Sequence, residues 1–309
     1  MISKGSLLVF VSQVFAVIVH TLAKFLETTG DIDPQQILQV RMFVTLSLNS
    51  LCLRTWYSRE LPLGSYNLRY LLVLRVVGGI CGSFGFYYSL SYLTLGDATV
   101  LNLLAPLGAG FLICRKFDLV RLSSVMMCLL GVGLITKPDF IFDHLYHDSE
   151  YRHAVSGTGF AFSIMGVLGG MIAYSMISAI GERVHPLAVT NCFATGVLVL
   201  SSVCFAVIPG MEYRWDLSTL QWIILLLIGI TGSLMEYFLT AGLTSERDGT
   251  AVYMISLQVV LALIADVSIW GTNPDALSLI GSVLVLSAVV ATEKWKNTVE
   301  HQENFELSC

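Results

Sequence analysis

Charge is what this sequence has least of. Asp, Glu, Lys and Arg together make up 13% of its 309 residues, while hydrophobic residues make up 55%. A water-soluble domain needs far more polar surface than that, so most of this chain faces lipid or other helices, and no nucleic-acid partner is expected. Proline is scarce as well, with seven in all, which leaves long apolar runs unbroken. Neither an H-E-x-x-H zinc motif nor a G-x-S-x-G elbow occurs. With no nucleophile–base or metal constellation in view, the chain does not read as an enzyme, and no cofactor or metal is expected. Six of the seven cysteines (Cys52, Cys81, Cys114, Cys128, Cys192 and Cys204) fall within or at the ends of apolar runs, and Cys309 is the last residue. Cysteines so placed read as small packing residues rather than disulfide partners. His144, His147 and His153 stand close together but lack Cys partners, which suits a solvated loop better than a zinc site.

What the chain does have is stretches long enough to cross a hydrocarbon core. Ten are expected: roughly 6–26, 36–56, 69–93, 98–114, 119–136, 158–180, 186–208, 219–243, 249–270 and 276–292. Mean hydropathy is +0.75. The net charge of −5 says little, because the distribution is what matters. With the N-terminus cytoplasmic, eleven Lys and Arg fall on the cytoplasmic side and only Lys137, Arg152 and Arg214 on the other. That bias fits a multi-pass protein in contact with membrane lipid, with both termini cytoplasmic.

The runs repeat. Gly79-Ile80-Cys81-Gly82-Ser83 with Tyr87 returns 150 residues later as Gly229-Ile230-Thr231-Gly232-Ser233 with Tyr237. Pro34 is matched by Pro186, and Thr99 through Pro106 by Ala251 through Gln258, at a spacing of 152. Five helices per copy would place the copies in opposite orientations, as in transporters built from inverted repeats. The expected fold is therefore all-α and integral to the membrane, with ten transmembrane helices in two inverted five-helix repeats. The first repeat is 1–137, a linker loop on the non-cytoplasmic side is 138–157, the second repeat is 158–292, and a polar cytoplasmic tail is 293–309. Gly79, Gly82, Gly229 and Gly232 fall near mid-span, where glycine lets helix backbones approach closely. Pro106 to Ser124 is 18 residues but Gln258 to Gly281 is 23, which predicts a fourth span about one helical turn shorter than the ninth.

Lys24, Pro34 and Arg41 across the first two spans, the run from Tyr87 to Pro106, and the run from Leu257 to Gly271 together resemble the drug/metabolite transporter superfamily, in its EamA-domain branch. Gln258, where the first half has Pro106, is similar to solute-carrier members related to nucleotide-sugar transporters. The resemblance implies a carrier of a small organic solute. Relatives move amino acids, nucleotide sugars, sugar phosphates or drugs, so it does not name the cargo.

Ionisable groups inside a membrane are costly and are functional candidates for that reason. Glu236 is the sharpest: it lies deep in the eighth span, and its repeat counterpart is Phe86. It reads as a substrate or proton site, or alternatively as half of an ion pair with Arg75. Arg75 and Arg41 are the other deep charges, and arginine forks would favour an anionic cargo; each also lies close enough to a helix end to snorkel. His20 and Lys24, one turn apart, read as an anchor or a proton-sensitive pair. Gln258 and Asp266 edge the ninth span, and Gln258 suits either substrate binding or bracing a neighbour. Asn102, Tyr87 and Tyr237 are polar groups that a central cavity would use. The function these residues suggest is a secondary transporter working by alternating access, through exchange or proton coupling. The alternative is a non-transporting protein of the same fold (sensor, chaperone or assembly partner), which the short fourth span favours. Oligomeric state is left open.

Overall fold

In hydrocarbon every backbone N–H and C=O must be satisfied within its own segment, and a chain this apolar meets that demand with helices. The computed structural model describes residues 3–30, 32–57, 66–90, 92, 95–113, 119–136, 157–207, 213–245, 250–271 and 274–308. Among them are ten α-helices and no strand: α1 Lys4–Gly30, α2 Pro34–Trp56, α3 Arg69–Leu90, α4 Leu95–Ile113, α5 Leu119–Thr136, α6 Gly157–Ile180, α7 Pro186–Val207, α8 Thr219–Ser245, α9 Leu257–Trp270 and α10 Ala276–Ser308. Seven stretches are long and apolar enough to cross a membrane, on α1–α3, α6–α8 and the stretch Ala251–Ile269; α4, α5 and α10 carry shorter apolar segments. The helix boundaries follow local chemistry. The Asp33 carboxylate caps α2 by accepting from the Gln35 N–H at 2.7 Å, with Pro34 in the first turn. Gly271, at φ +65°, closes α9 by donating its N–H to the Val267 carbonyl.

The repeats do not sit side by side; they interleave. The main helix contacts join one repeat to the other: α3 with α6, α1 with α8, α5 with α10, and α2 with α7 and α8. Two of these pairs bring together helices that are repeat equivalents. On α2 and α7, Asn191 donates to Ser50 at 3.1 Å and Gln39 donates to Ser202 at 3.0 Å. Positions 39 and 191 are 152 apart, and so are 50 and 202, so a single hydrogen bond is made twice about a pseudo-two-fold. Matching 39 with 202 and 50 with 191 requires α2 and α7 to run antiparallel, which is the inversion expected from the repeat. On α5 and α10, Gly131 faces Gly281, its equivalent at a spacing of 150; a Cβ on Gly131 would lie 2.6 Å from the Gly281 carbonyl oxygen. The α3–α6 pair is equally close: a Cβ on Gly78 would lie 2.8 Å from the Gly169 carbonyl oxygen, and one on Gly82 3.2 Å from the Gly170 nitrogen.

The described apolar segment of α4, Leu101–Gly110, is shorter than the stretch Ala251–Ile269 that corresponds to it. Helix α4 has 19 residues, and its counterpart is a seven-residue 3-10 stretch, Thr250–Ser256, leading into the 14 residues of α9; at about 2.0 Å per 3-10 residue and 1.5 Å per α-helical residue the counterpart is longer by roughly 6 Å, one helical turn. The residues read as a polar tail continue α10 as helix to Ser308. The linker up to residue 156, with its histidines, lies outside the described residues.

Candidate functional site

Three buried charges meet where α2, α3 and α8 converge. Arg41 Nη2 donates to Glu236 Oε1 at 3.1 Å, and Arg75 Nη2 lies 3.7 Å from Glu236 Oε2. The side chains of Arg41, Arg75 and Glu236 retain 11%, 5% and 8% of their surface. Among the described residues, two guanidiniums against one carboxylate leave a net positive charge within a low-dielectric surround, where an uncompensated charge is expensive. The hydrogen bonding is also incomplete. Arg41 Nε, Arg75 Nε and Glu236 Oε2 are buried without partners, as are the nearby hydroxyls of Thr45 on α2 and Thr240 on α8. Arg75 has partial compensation from Phe193 on α7, whose ring centroid lies 4.3 Å from its Cζ. Tyr174 of α6 stands within electrostatic reach of both Arg75 and Glu236.

The mid-span glycines make this cluster fit. A Cβ on Gly232 would lie 2.6 Å from Arg41 Nε and 3.0 Å from its Cδ. A Cβ on Gly79 would collide with the Arg75 guanidinium and with the Phe193 ring. Gly229 receives Val44 of α2 at 2.6 Å, and Gly82 receives the α6 backbone. Two of the four glycines thus hold arginines in place, and the other two admit neighbouring helices.

Below the charges, Asn49 donates to Thr190 at 2.8 Å and accepts from Ser233 at 3.1 Å, tying α2, α7 and α8 together. On the other flank Gln258 and His20 Nδ1 share a hydrogen bond of 2.9 Å between α9 and α1. Gln258 therefore braces a neighbouring helix, and the described partner of His20 is Gln258. Outside the bundle core, the Gln36 amide clamps the connection before α8: it donates to the Arg214 carbonyl at 2.7 Å and accepts from the Arg214 N–H at 3.0 Å. In the same connection, burial pushes the Tyr213 hydroxyl above its ordinary pKa.

The sequence-predicted residues thus divide. Arg41, Arg75 and Glu236 come together as one cluster; Gln258 lies on the flank with His20. Tyr237 is half-buried and meets Phe238 edge-on at 5.4 Å. Asn102 is half-buried on α4, away from any described hydrogen bond. The side chains of Tyr87, Asp266 and Lys24 lie outside the described residues. Sequence reasoning missed Phe193, Tyr174 and Asn49. Phe193 carried a signal, since it stands 152 residues after Arg41 and occupies against Gly79 the place Arg41 takes against Gly232. An apolar groove of about 370 Å³ between α3 and α6, lined by residues such as Leu74, Val77, Ile164 and Leu168, includes none of the charged cluster.

Comparison with known proteins agrees with this architecture. The profile of the EamA-like transporter family matches residues 3–137 and 161–292. The probable transporter vicT of Bipolaris victoriae is 34% identical over 315 residues, covering 97% of this chain and 88% of that one. A biotin transporter of Salmonella typhimurium is 25% identical over 244 residues, covering 74% and 76%. A crystal structure 16% identical in sequence shares the fold, with a TM-score of 0.72 over 94% of this chain and 99% of that one. These relatives give the chain a general role in membrane transport.

Proposed function

Since the chain belongs to the EamA-like transporter family, we propose that it is a secondary carrier moving a small organic solute across a membrane by alternating access. All ten helices cross, with both termini cytoplasmic, and the interleaved repeats rock about the α2–α7 and α5–α10 seams. The cargo site is the cluster of Arg41, Arg75 and Glu236, and the cargo carries an anionic group. One observation carries this reading: two guanidiniums share one carboxylate between the repeats, buried and with donors unmatched. A structural ion pair would be balanced. An unbalanced one invites a second anion. The biotin transporter among the relatives supports a small organic solute as the class of cargo. A non-transporting role is the alternative that a short fourth span favours, and it predicts a folded protein without saturable uptake.

The test is uptake by the purified protein in proteoliposomes preloaded with members of a panel of amino acids, nucleotide sugars, sugar phosphates and simple carboxylates. Saturable counterflow of an anionic member by the wild type, lost in Arg41→Gln, is expected. A folded wild type without saturable uptake of any member, or equal uptake by the variant, would overturn the assignment.

A further inference from the structure

The Arg41–Glu236–Arg75 cluster is closed as well as unbalanced, and this determines how a cargo enters. Glu236 lies between the two guanidiniums, one oxygen toward each. Arg75 is covered by Phe193 on its face and by Gly79 behind, and Arg41 is backed by Gly232. No cargo group reaches both arginines while the carboxylate stays there. Yet that carboxylate is loosely held. Its Oε2 accepts no hydrogen bond, and Thr240, one helical turn further along α8, keeps a buried hydroxyl without a partner. The cluster therefore contains both an anion position and an acceptor beside it for a neutral carboxyl group.

Resting on the carrier reading above, we propose that Glu236 is an internal stand-in for the cargo's anionic group. It occupies Arg41 and Arg75 while the site is empty, and it takes up one proton from the aqueous side as a monoanionic cargo replaces it between the guanidiniums. The balance closes. The empty site holds two cations and one carboxylate; the loaded site holds two cations, one cargo anion and a neutral Glu236. One net positive charge is present in each state, so the proton and the anion travel together without moving net charge. The groups bearing on Glu236 are Arg41 of α2, Arg75 of α3 and Tyr174 of α6. From the other elements packed on α8, α1 brings His20, whose charged neighbour is Arg41, the stretch before α9 brings Tyr253, and α7 brings Cys192 and the apolar Phe193. The turn Gly181–Arg183 also packs on α8 and carries Glu182, but it meets α8 at Thr244, about two turns beyond Glu236, so among the described residues no second carboxylate lies beside the cluster.

The experiment measures thermal stabilisation of the purified full chain by methanesulfonate and by inorganic sulfate between roughly pH 5 and pH 8, beside anion-free controls. Methanesulfonate keeps its charge throughout, so any pH dependence belongs to the protein. For the wild type, apparent affinity should rise about tenfold for each pH unit of acidification, the signature of one linked proton. In Glu236→Gln the arginines are permanently vacated, and both anions should stabilise at every pH. Adding Arg41→Gln and Arg75→Gln to that variant should abolish the effect. Wild-type stabilisation that ignores pH but is lost in Arg41→Gln would keep the site and overturn the stand-in. Stabilisation that survives in the triple variant, or no response to either anion at any pH, would overturn the site itself. Where Glu236→Gln does not fold, the wild-type pH series decides.

Discussion

Removing the one carboxylate of the cluster should cost far more than removing one of its two arginines. With Glu236→Gln, Arg41 and Arg75, each within 4 Å of the lost carboxylate, are left facing one another. Their mutual repulsion, about 2 kcal/mol for charges about 7 Å apart at an effective dielectric near 20, is already present in the wild type, and the substitution removes the carboxylate that offsets it. Leaving both cations uncompensated should cost about 3–5 kcal/mol, the usual range for breaking a buried pair. Arg41→Gln does something different. It removes a hydrogen bond of 3.1 Å but leaves Arg75 and Glu236 as a one-to-one pair, so the uncompensated charge disappears with the arginine. The lost bond and the relieved charge largely offset, and the net cost should stay below about 1.5 kcal/mol. Unfolding of the purified variants in mild detergent, at neutral pH and in buffer low in small anions, tests the order. If Arg41→Gln destabilises as much as Glu236→Gln or more, the cluster is not electrostatically unbalanced, and the argument for an anionic cargo falls with it.

Other substitutions probe the surrounding architecture. Gly232→Ala puts a Cβ 2.6 Å from Arg41 Nε and should lower cargo uptake with about 1–3 kcal/mol of overpacking, whereas Gly133→Ala, which meets nothing within 4 Å, should be neutral or stabilising; paired uptake and unfolding measurements separate them. Gly131→Ala drives a methyl against the Gly281 carbonyl oxygen and the Val285 nitrogen, backbone that cannot give way, and should cost more than about 2 kcal/mol in the same unfolding assay. Asn49→Ala removes bonds to Thr190 and Ser233 from a site with 2% exposure and should cost about 1–3 kcal/mol, with Asn49→Asp no rescue because it cannot donate to Thr190.

Composition and periodicity made much of the fold legible, because a membrane leaves an apolar chain few alternatives and a duplicated chain writes its symmetry into its spacing. The GIxGS pair at 150 and the prolines at 152 foretold antiparallel equivalents. Hydropathy also exposed Glu236, Arg41 and Arg75 as anomalies. That all three would meet was not legible, since the helices carrying them lie far apart in sequence and nothing local says which faces converge. Arg41 looked like a residue able to snorkel; it is held inward because Gly232 opens a slot for its stem. Small residues recur on every helix, so the sequence alone did not single out the Gly131–Gly281 contact. Gln258 stood out in the sequence, but its hydrogen bond depends on His20, which the sequence set beside Lys24.

The reciprocal seams also bear on what half of this protein would do. Since α2 meets α7 and α5 meets α10, each half presents surfaces shaped for its own antiparallel image. Two copies of one half, inserted with opposite topologies, would find the Gln39–Ser50 and Gly131 surfaces already self-complementary. The charges would not follow that rule. Arg41 corresponds to Phe193 and Glu236 to Phe86, so a dimer of first halves would gather four arginines and no acid at its centre, and a dimer of second halves two acids and no arginine. Covalent fusion of unlike halves is what lets this chain place one acid between two bases.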